Sequence, residues 1–214
     1  MLRSAFTLLE LAFVIVVVGI LSAALIPRYE RDTLYEMAEQ VLSHIQYTQH
    51  MAMMDNVYLD REEDWYKARW HLRFVNGSCG LFYRVGSDSD LMGNGVIAAN
   101  EAARDPLTHE LIYNNTFTCA KHIGWYDDVL LGMKYNVLSV ESSCNTQTIA
   151  FDHLGRPYTG VAGDRPTDKL MENDCEYTFT HSNGSQVKIT VTAHKDLHSC
   201  QHNVLGLAEF VFAA

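Results

Sequence analysis

Residues 4–27 read SAFTLLELAFVIVVVGILSAALIP, and this stretch decides the fold that the sequence predicts. The sixteen residues from Leu11 to Ile26 carry no charge and are rich in Val, Ile, Leu and Ala. At 1.5 Å per residue, a helix from Phe6 to Ile26 covers roughly 30 Å, which is the thickness of the hydrocarbon core of a bilayer. We therefore predict a transmembrane helix over residues 6–27.

Glu10 is the one ionisable residue within this apolar stretch. A carboxylate buried in a membrane costs about 2.5 to 3.5 kcal/mol on insertion scales, so it is expected to have a cationic partner. That partner is either Arg3 or, if residues 1–5 are removed, the new terminal amine of Phe6 in a neighbouring chain. Two alternatives stay open: a carboxylate solvated at headgroup level, which needs no partner, and a secretory signal cut near Ala24. The length of the apolar run counts against the secretory signal.

A second helical pattern follows Pro27, which should kink the helix without necessarily ending it. Apolar positions recur there at spacings of three and four, as expected for one face of an amphipathic helix. These positions are Leu34, Ala38, Val41, Ile45, Thr48 and Ala52. The pattern predicts that residues 28–56 form the amphipathic second half of one long helix.

From residue 57 onward the pattern is typical of strands and turns, with aromatic and β-branched runs. The predicted strands cover residues 69–75, 80–85, 135–140, 146–152, 175–180 and 186–192, and Asn76-Gly77 and Asn183-Gly184 are hairpin-turn signals. Residues 86–110, which contain three glycines, are interpreted as a loop region. We therefore predict an α+β fold in which the long N-terminal helix packs on the antiparallel sheet of a globular domain, residues 57–214.

The motif FTLLE at residues 6–10, with the apolar run, Gly19 and Pro27 after it, resembles the N-terminus of type IV pilins and of type II secretion pseudopilins. The resemblance covers the N-terminal segment. It implies a pilin-like fold for the whole chain.

The same resemblance implies how the N-terminus is processed and what it does. Prepilin peptidase is expected to cut between Ala5 and Phe6, after which Phe6 is N-methylated and the helices assemble into a filament core. Glu10 then meets the terminal amine of a neighbouring subunit. Ala5 stands where the family usually has Gly, so processing is expected to be slower or the peptidase more permissive.

A second resemblance involves FDHLGRP at residues 151–157 and SNGSQVKITV at residues 182–191. Both are similar to segments of the GspH/FimT-like class of minor pseudopilins and minor pilins. This implies a subunit of a type II secretion pseudopilus or type IV pilus, placed in the inner membrane as a single-pass protein with its globular domain in the periplasm. The implied partners are other pilins or pseudopilins, prepilin peptidase, an inner-membrane assembly platform and membrane lipid.

The charge balance argues against nucleic acid as a partner. The formal net charge is -10 and the pI is about 5.4, whereas general binding to phosphate backbones depends on clustered Lys and Arg. Basic and aromatic residues mix most closely in WYKARWHLR at residues 65–73. We interpret this stretch as a strand with one solvated basic face, with base stacking as the alternative.

All five cysteines lie after the apolar segment, as expected for a domain in an oxidising compartment. They are Cys79, Cys119, Cys144, Cys175 and Cys200. Two bridges and one free thiol are expected, although sequence does not determine connectivity. The pairs to test first are Cys175 with Cys200 and Cys119 with Cys144, because each would close a hairpin or a loop between adjacent strands.

An alternative function rests on HKDLHSCQH at residues 194–202. His194, His198, Cys200 and His202 are capable metal ligands, so the chain could instead be a membrane-anchored periplasmic binding protein or enzyme. No HExxH or CxxC pattern accompanies them, and no local catalytic motif occurs in the chain. We therefore predict a non-enzymatic subunit with no metal and no cofactor.

Overall fold

The computed structural model divides the chain into two compact units, Met1–Asp32 and Thr33–Ala214, which are treated separately below. It describes residues 8–25, 33–55, 64–89, 91, 93–115, 117, 124–161, 163–193 and 208–212.

The first unit contains one helix, α1, which spans Leu8–Leu25. Its only ionisable residue, Glu10, lies in the first turn, where a negative charge interacts favourably with the helix dipole. No proline lies within these residues.

The predicted long N-terminal helix is wrong. The structure has α1 and a separate helix, α2, over Thr33–Met54, and each belongs to a different unit. The pilin-like fold class, which depends on one continuous helix, is therefore contradicted. The predicted kink at Pro27 lies outside the described residues.

The predicted transmembrane segment is also contradicted. Within the part of the chain that the structure describes, no helix has the length and apolarity needed to cross a membrane. This finding overturns the predicted single-pass placement in the inner membrane.

The second unit begins with α2, whose apolar stripe faces inward. Its buried residues are Leu34, Met37, Ala38, Val41, His44, Ile45, Thr48 and Ala52. All six positions predicted from the helical spacing are among them, so this amphipathic pattern is confirmed. The stripe packs against strands of both sheets of the unit.

The described residues of this unit form two antiparallel sheets of four strands, where the sequence predicted one sheet. The strands are β1 (Trp70–Gly77), β2 (Gly80–Ser87), β3 (Val137–Ser142), β4 (Thr148–Phe151), β5 (Pro157–Tyr158), β6 (Cys175–His181), β7 (Gln186–Val191) and β8 (Ala208–Phe212). The first sheet has the order β2-β1-β4-β5 and the second the order β3-β6-β7-β8. A short helix, α3, spans Leu131–Tyr135 and contacts β2 and β3.

Aromatic side chains from the two sheets meet in the core. The ring of Phe74 on β1 lies 5.8 Å from that of Tyr177 and 5.3 Å from that of Phe179, both on β6. Such tilted and edge-on pairs add to the free energy gained from burial. One core therefore holds α2 and both sheets together.

The two predicted hairpins exist, but one turn lies elsewhere. Asn183-Gly184 connects β6 to β7 as predicted, and Gly184 has the positive φ, 88°, that favours glycine. Between β1 and β2, however, Gly77 pairs with Gly80, so the turn consists of Ser78 and Cys79. Asn76-Gly77 belongs to the end of the strand.

Candidate functional site: the apolar helix

The first twelve residues of α1, Leu8 to Gly19, expose apolar side chains on all sides of the helix. From Leu8 to Gly19 every residue is exposed except Val17, which is half-buried. Leu8 is 87% exposed, and Phe13, more than one turn further along, is still 70% exposed. A helix that is apolar all round normally lies inside a protein or another apolar environment. Its surface is therefore the strongest candidate for an assembly site.

Glu10 occupies this surface as an exposed carboxylate one turn from the start of the described helix. It can act as an acceptor for a cation on another molecule, since a carboxylate offers two oxygens. The predicted processing residues Ala5 and Phe6 lie outside the described residues, and so the structure does not bear on the cleavage site.

One disulfide joins Cys144 to Cys175, with Cα atoms 5.6 Å apart, so disulfide formation is confirmed. Neither pair predicted from the sequence involves these two partners together, and both predicted pairings are wrong. Cys79 is also disulfide-bonded. The remaining cysteines, Cys119 and Cys200, lie outside the described residues.

The stretch of residues 65–73 does not form a solvated basic face. Arg69 and His71 are buried, and the guanidinium group of Arg73 donates to the carbonyl of Gly95 at 2.6 Å. Arg69 and Arg73 therefore bind backbone carbonyls of neighbouring loops, and Lys67 pairs with the carboxylate of Asp64 at 2.8 Å. That placement argues against the base-stacking alternative, which needs cations free to follow phosphates.

A buried polar cluster under α2 was not predicted from the sequence. His44 Nδ1 lies 2.7 Å from the hydroxyl oxygen of Tyr83, and Nε2 lies 3.2 Å from Oδ2 of Asp105. Oδ1 of Asp105 accepts hydrogen bonds from the backbone N–H groups of Leu107 and Thr108. These hydrogen bonds hold the loop around Asp105 against α2 and β2.

The protonation states in this cluster follow from burial and hydrogen bonding. Burial lowers the pKa of His44 by more than the hydrogen bond and charge of Asp105 raise it, so the ring is neutral at pH 7. Burial raises the pKa of Asp105, but hydrogen bonds from Thr108 and His44 outweigh it and leave the pKa below its usual value. His44 Nε2 therefore donates to the Asp105 carboxylate, and Nδ1 accepts from the Tyr83 hydroxyl.

One feature of the sequence indicates this buried polar cluster. His44 occupies a position three residues after Val41 and four before Thr48, in the middle of the apolar stripe of α2. A histidine at such a position is expected to be buried and to need hydrogen-bond partners. Its partners come from distant parts of the chain, which spacing does not identify.

The four possible metal ligands of the tail, His194, His198, Cys200 and His202, lie outside the described residues. Elsewhere, no group of three or more His, Cys, Asp or Glu side chains is placed to hold a metal ion in the described ranges. Comparisons of the chain with protein-family models, with curated proteins and with solved structures found no match.

Proposed function

We propose that this chain is a minor subunit of a type II secretion pseudopilus or a type IV pilus, and that it joins the filament through α1. The observation that carries the proposal is the exposure of apolar side chains on every side of α1 from Leu8 to Gly19. The FTLLE motif at residues 6–10 supports the same assignment.

Burial of this surface supplies the driving force for assembly. Each Å² of apolar surface removed from water contributes roughly 25 cal/mol, so a helix with exposed Leu, Val, Ile and Phe side chains gains most when other helices surround it. Subunits of the same kind offer such helices. Because the exposed positions lie on every side, α1 suits the centre of a helical bundle better than a two-helix interface.

Glu10 sets the register of the packed helices in this proposal. Cleavage between Ala5 and Phe6 creates a terminal amine that pairs with Glu10 of a neighbouring subunit inside the bundle. Removing one partner of a buried pair costs about 3 to 5 kcal/mol, which corresponds to at least a hundredfold in an assembly constant.

Two measurements test the proposal. The first is mass spectrometry of the mature chain, which should begin at a methylated Phe6. A mature chain that retains residues 1–5, or that begins near Ala24, would contradict the proposed processing.

The second measurement is incorporation into filaments, followed by co-purification with the other subunits at matched expression. Glu10→Gln keeps the size of the side chain and removes its charge, and it should reduce incorporation at least tenfold, a conservative bound on the cost above. Glu172→Gln is the matched control, because Glu172 is exposed in the second unit, and it should incorporate normally. Equal incorporation of both variants would refute the role of Glu10.

A further inference from the structure

The last turns of α2 carry a cluster of methionines beside an exposed histidine. Residues 50–54 read HMAMM, so three of the eight methionines of the chain lie within four positions. His50, Met53 and Met54 are all exposed, Met53 by 37% and Met54 by 71%. The outer face of an amphipathic helix normally carries polar residues, so two exposed methionines at its end depart from the pattern of the rest of α2.

The helical spacing places these three side chains on one face. His50 lies three residues before Met53 and four residues before Met54. Side chains at those spacings are neighbours on a helix surface, with Cβ atoms roughly 5 to 6 Å apart. At 3.6 residues per turn, the position of His50 lies between those of Met53 and Met54 around the helix axis.

The end of α2 is held in place on both sides of this cluster. Gln49 Nε2 donates to the carbonyl of Gly155 at 2.8 Å, and Trp70 Nε1 donates to Oδ2 of Asp55 at 2.7 Å. The backbone N–H of Asp55 still donates to the carbonyl of Met51 at 2.9 Å, so helical hydrogen bonding continues through the last turn. The spacing of the cluster is therefore fixed by a rigid element, as a binding site requires.

The ligand chemistry of the cluster matches a soft cation. Thioether sulfur is a soft ligand that selects Cu(I), and imidazole also suits copper. Mg²⁺ and Ca²⁺ prefer oxygen ligands, and Zn²⁺ prefers thiolate, imidazole and carboxylate. A surface for docking another protein is the alternative, but it does not account for an imidazole placed between two thioethers.

We propose that His50, Met53 and Met54 bind a soft monovalent cation, Cu(I) or the chemically similar Ag(I), on the exposed face of α2. Met54 supplies its sulfur from the solvent side. The Sδ atom of Met53 lies beside Gly155, and the flexible side chain of Met53 can rotate to bring that sulfur to the ion.

The first test uses Ag⁺ as the probe, because it is a soft cation that is not oxidised in air. Silver nitrate is titrated into the full chain with its disulfides intact and its free thiols alkylated, since thiolates also bind soft metals. Binding is followed by the NMR signals of isotope-labelled methionine methyl groups. The signals of Met53 and Met54 should shift with a common dissociation constant, whereas that of Met133, exposed on α3, should not. Zn²⁺ should leave all three signals unchanged. Equal shifts at Met133, no shift with Ag⁺, or an equal response to Zn²⁺ would overturn the proposal.

Variants then assign the binding to these three side chains. Met53→Leu and Met54→Leu keep nearly the same volume and apolar character, so the fold should be retained. Each should weaken Ag⁺ binding at least tenfold, because losing even a group that only supports a metal ligand costs about ten- to a hundredfold in affinity. His50→Gln should weaken it similarly. Met133→Leu is the matched control and should bind as the wild type does. Unchanged affinity in Met54→Leu or in His50→Gln would refute the site.

Discussion

Acidification should destabilise the second unit through His71, a fully buried residue on β1. Burial lowers the pKa of His71 from 6.5 to about 4, because the charged ring cannot be solvated there, and this outweighs hydrogen bonding to the carbonyls of Arg69 and Gly95. In the unfolded chain the ring takes up its proton near pH 6.5, whereas in the native protein it does so only near pH 4. Stability is therefore complete above pH 6.5 and falls as the pH drops towards 4.

The size of the effect follows from the difference between the two pKa values of His71. That difference corresponds to about 3.4 kcal/mol in total, of which roughly 2.5 kcal/mol is lost between pH 7.5 and pH 4.5. The assay is urea unfolding at both pH values, followed by tryptophan fluorescence. His71→Gln should lose roughly 2.5 kcal/mol less than the wild-type protein over this interval. His50→Gln is the control, since His50 is exposed on α2, and it should behave as the wild type does. If His71→Gln and the wild type lose the same stability, His71 does not titrate as the structure implies.

Three further predictions concern stability at neutral pH, and urea unfolding measures each of them. Gly86→Ala should destabilise the fold by about 1 to 3 kcal/mol, because its Cβ would lie 2.5 Å from a backbone carbonyl oxygen. Replacing Cys144 and Cys175 together by Ser should cost about 4 kcal/mol, since the bridge spans 31 residues of sequence. Tyr83→Phe should cost about 1 to 3 kcal/mol, because it leaves the buried Nδ1 of His44 without its donor.

Each of these variants has an internal control. Gly160→Ala should be nearly neutral, because the nearest atom to its Cβ would be the side-chain Cγ of Lys169 at 3.9 Å. Tyr35→Phe should cost little, since Tyr35 is exposed on α2. The reductant dithiothreitol should destabilise the wild type more than the double serine variant. A Gly86→Ala protein as stable as Gly160→Ala would show that the neighbouring loop moves aside without cost.

The sequence predicted well which residues of a strand or helix are buried, because burial repeats at the period of the element. On β6, Cys175, Tyr177 and Phe179 are buried and alternate with exposed or half-buried residues. The sequence shows the same alternation of apolar and polar residues with a period of two. The stripe of α2 was visible in the same way at a period near 3.6. In both cases the burial of a residue depends on its position within its own helix or strand, which the local sequence shows.

Long-range pairing was not predictable in this way. Ser142 of β3 pairs with Tyr177 of β6, and continuing this antiparallel register places Cys144 opposite Cys175. The disulfide therefore depends on which strands are neighbours, and cysteine spacing carries no information about that. The prediction of a solvated basic face over residues 65–73 was wrong for the same reason. Arg69, immediately before β1, is covered by a loop about ninety residues later in the chain, where Val161 and Pro166 accept its hydrogen bonds.

Two buried polar groups of the second unit, His44 and Arg69, differ in how completely they are hydrogen-bonded. His44 has a partner for each ring nitrogen, and its partner Asp105 is satisfied in turn, so this cluster needs nothing from outside the chain. Arg69 is buried to a similar degree, yet its Nε has no acceptor among the described residues. Leaving a buried donor unsatisfied costs about 1 to 3 kcal/mol, so Arg69 contributes less to the stability of the second unit than a fully hydrogen-bonded residue would. On α1 the exposed surface is apolar, and the proposed gain in free energy comes from contact with other helices.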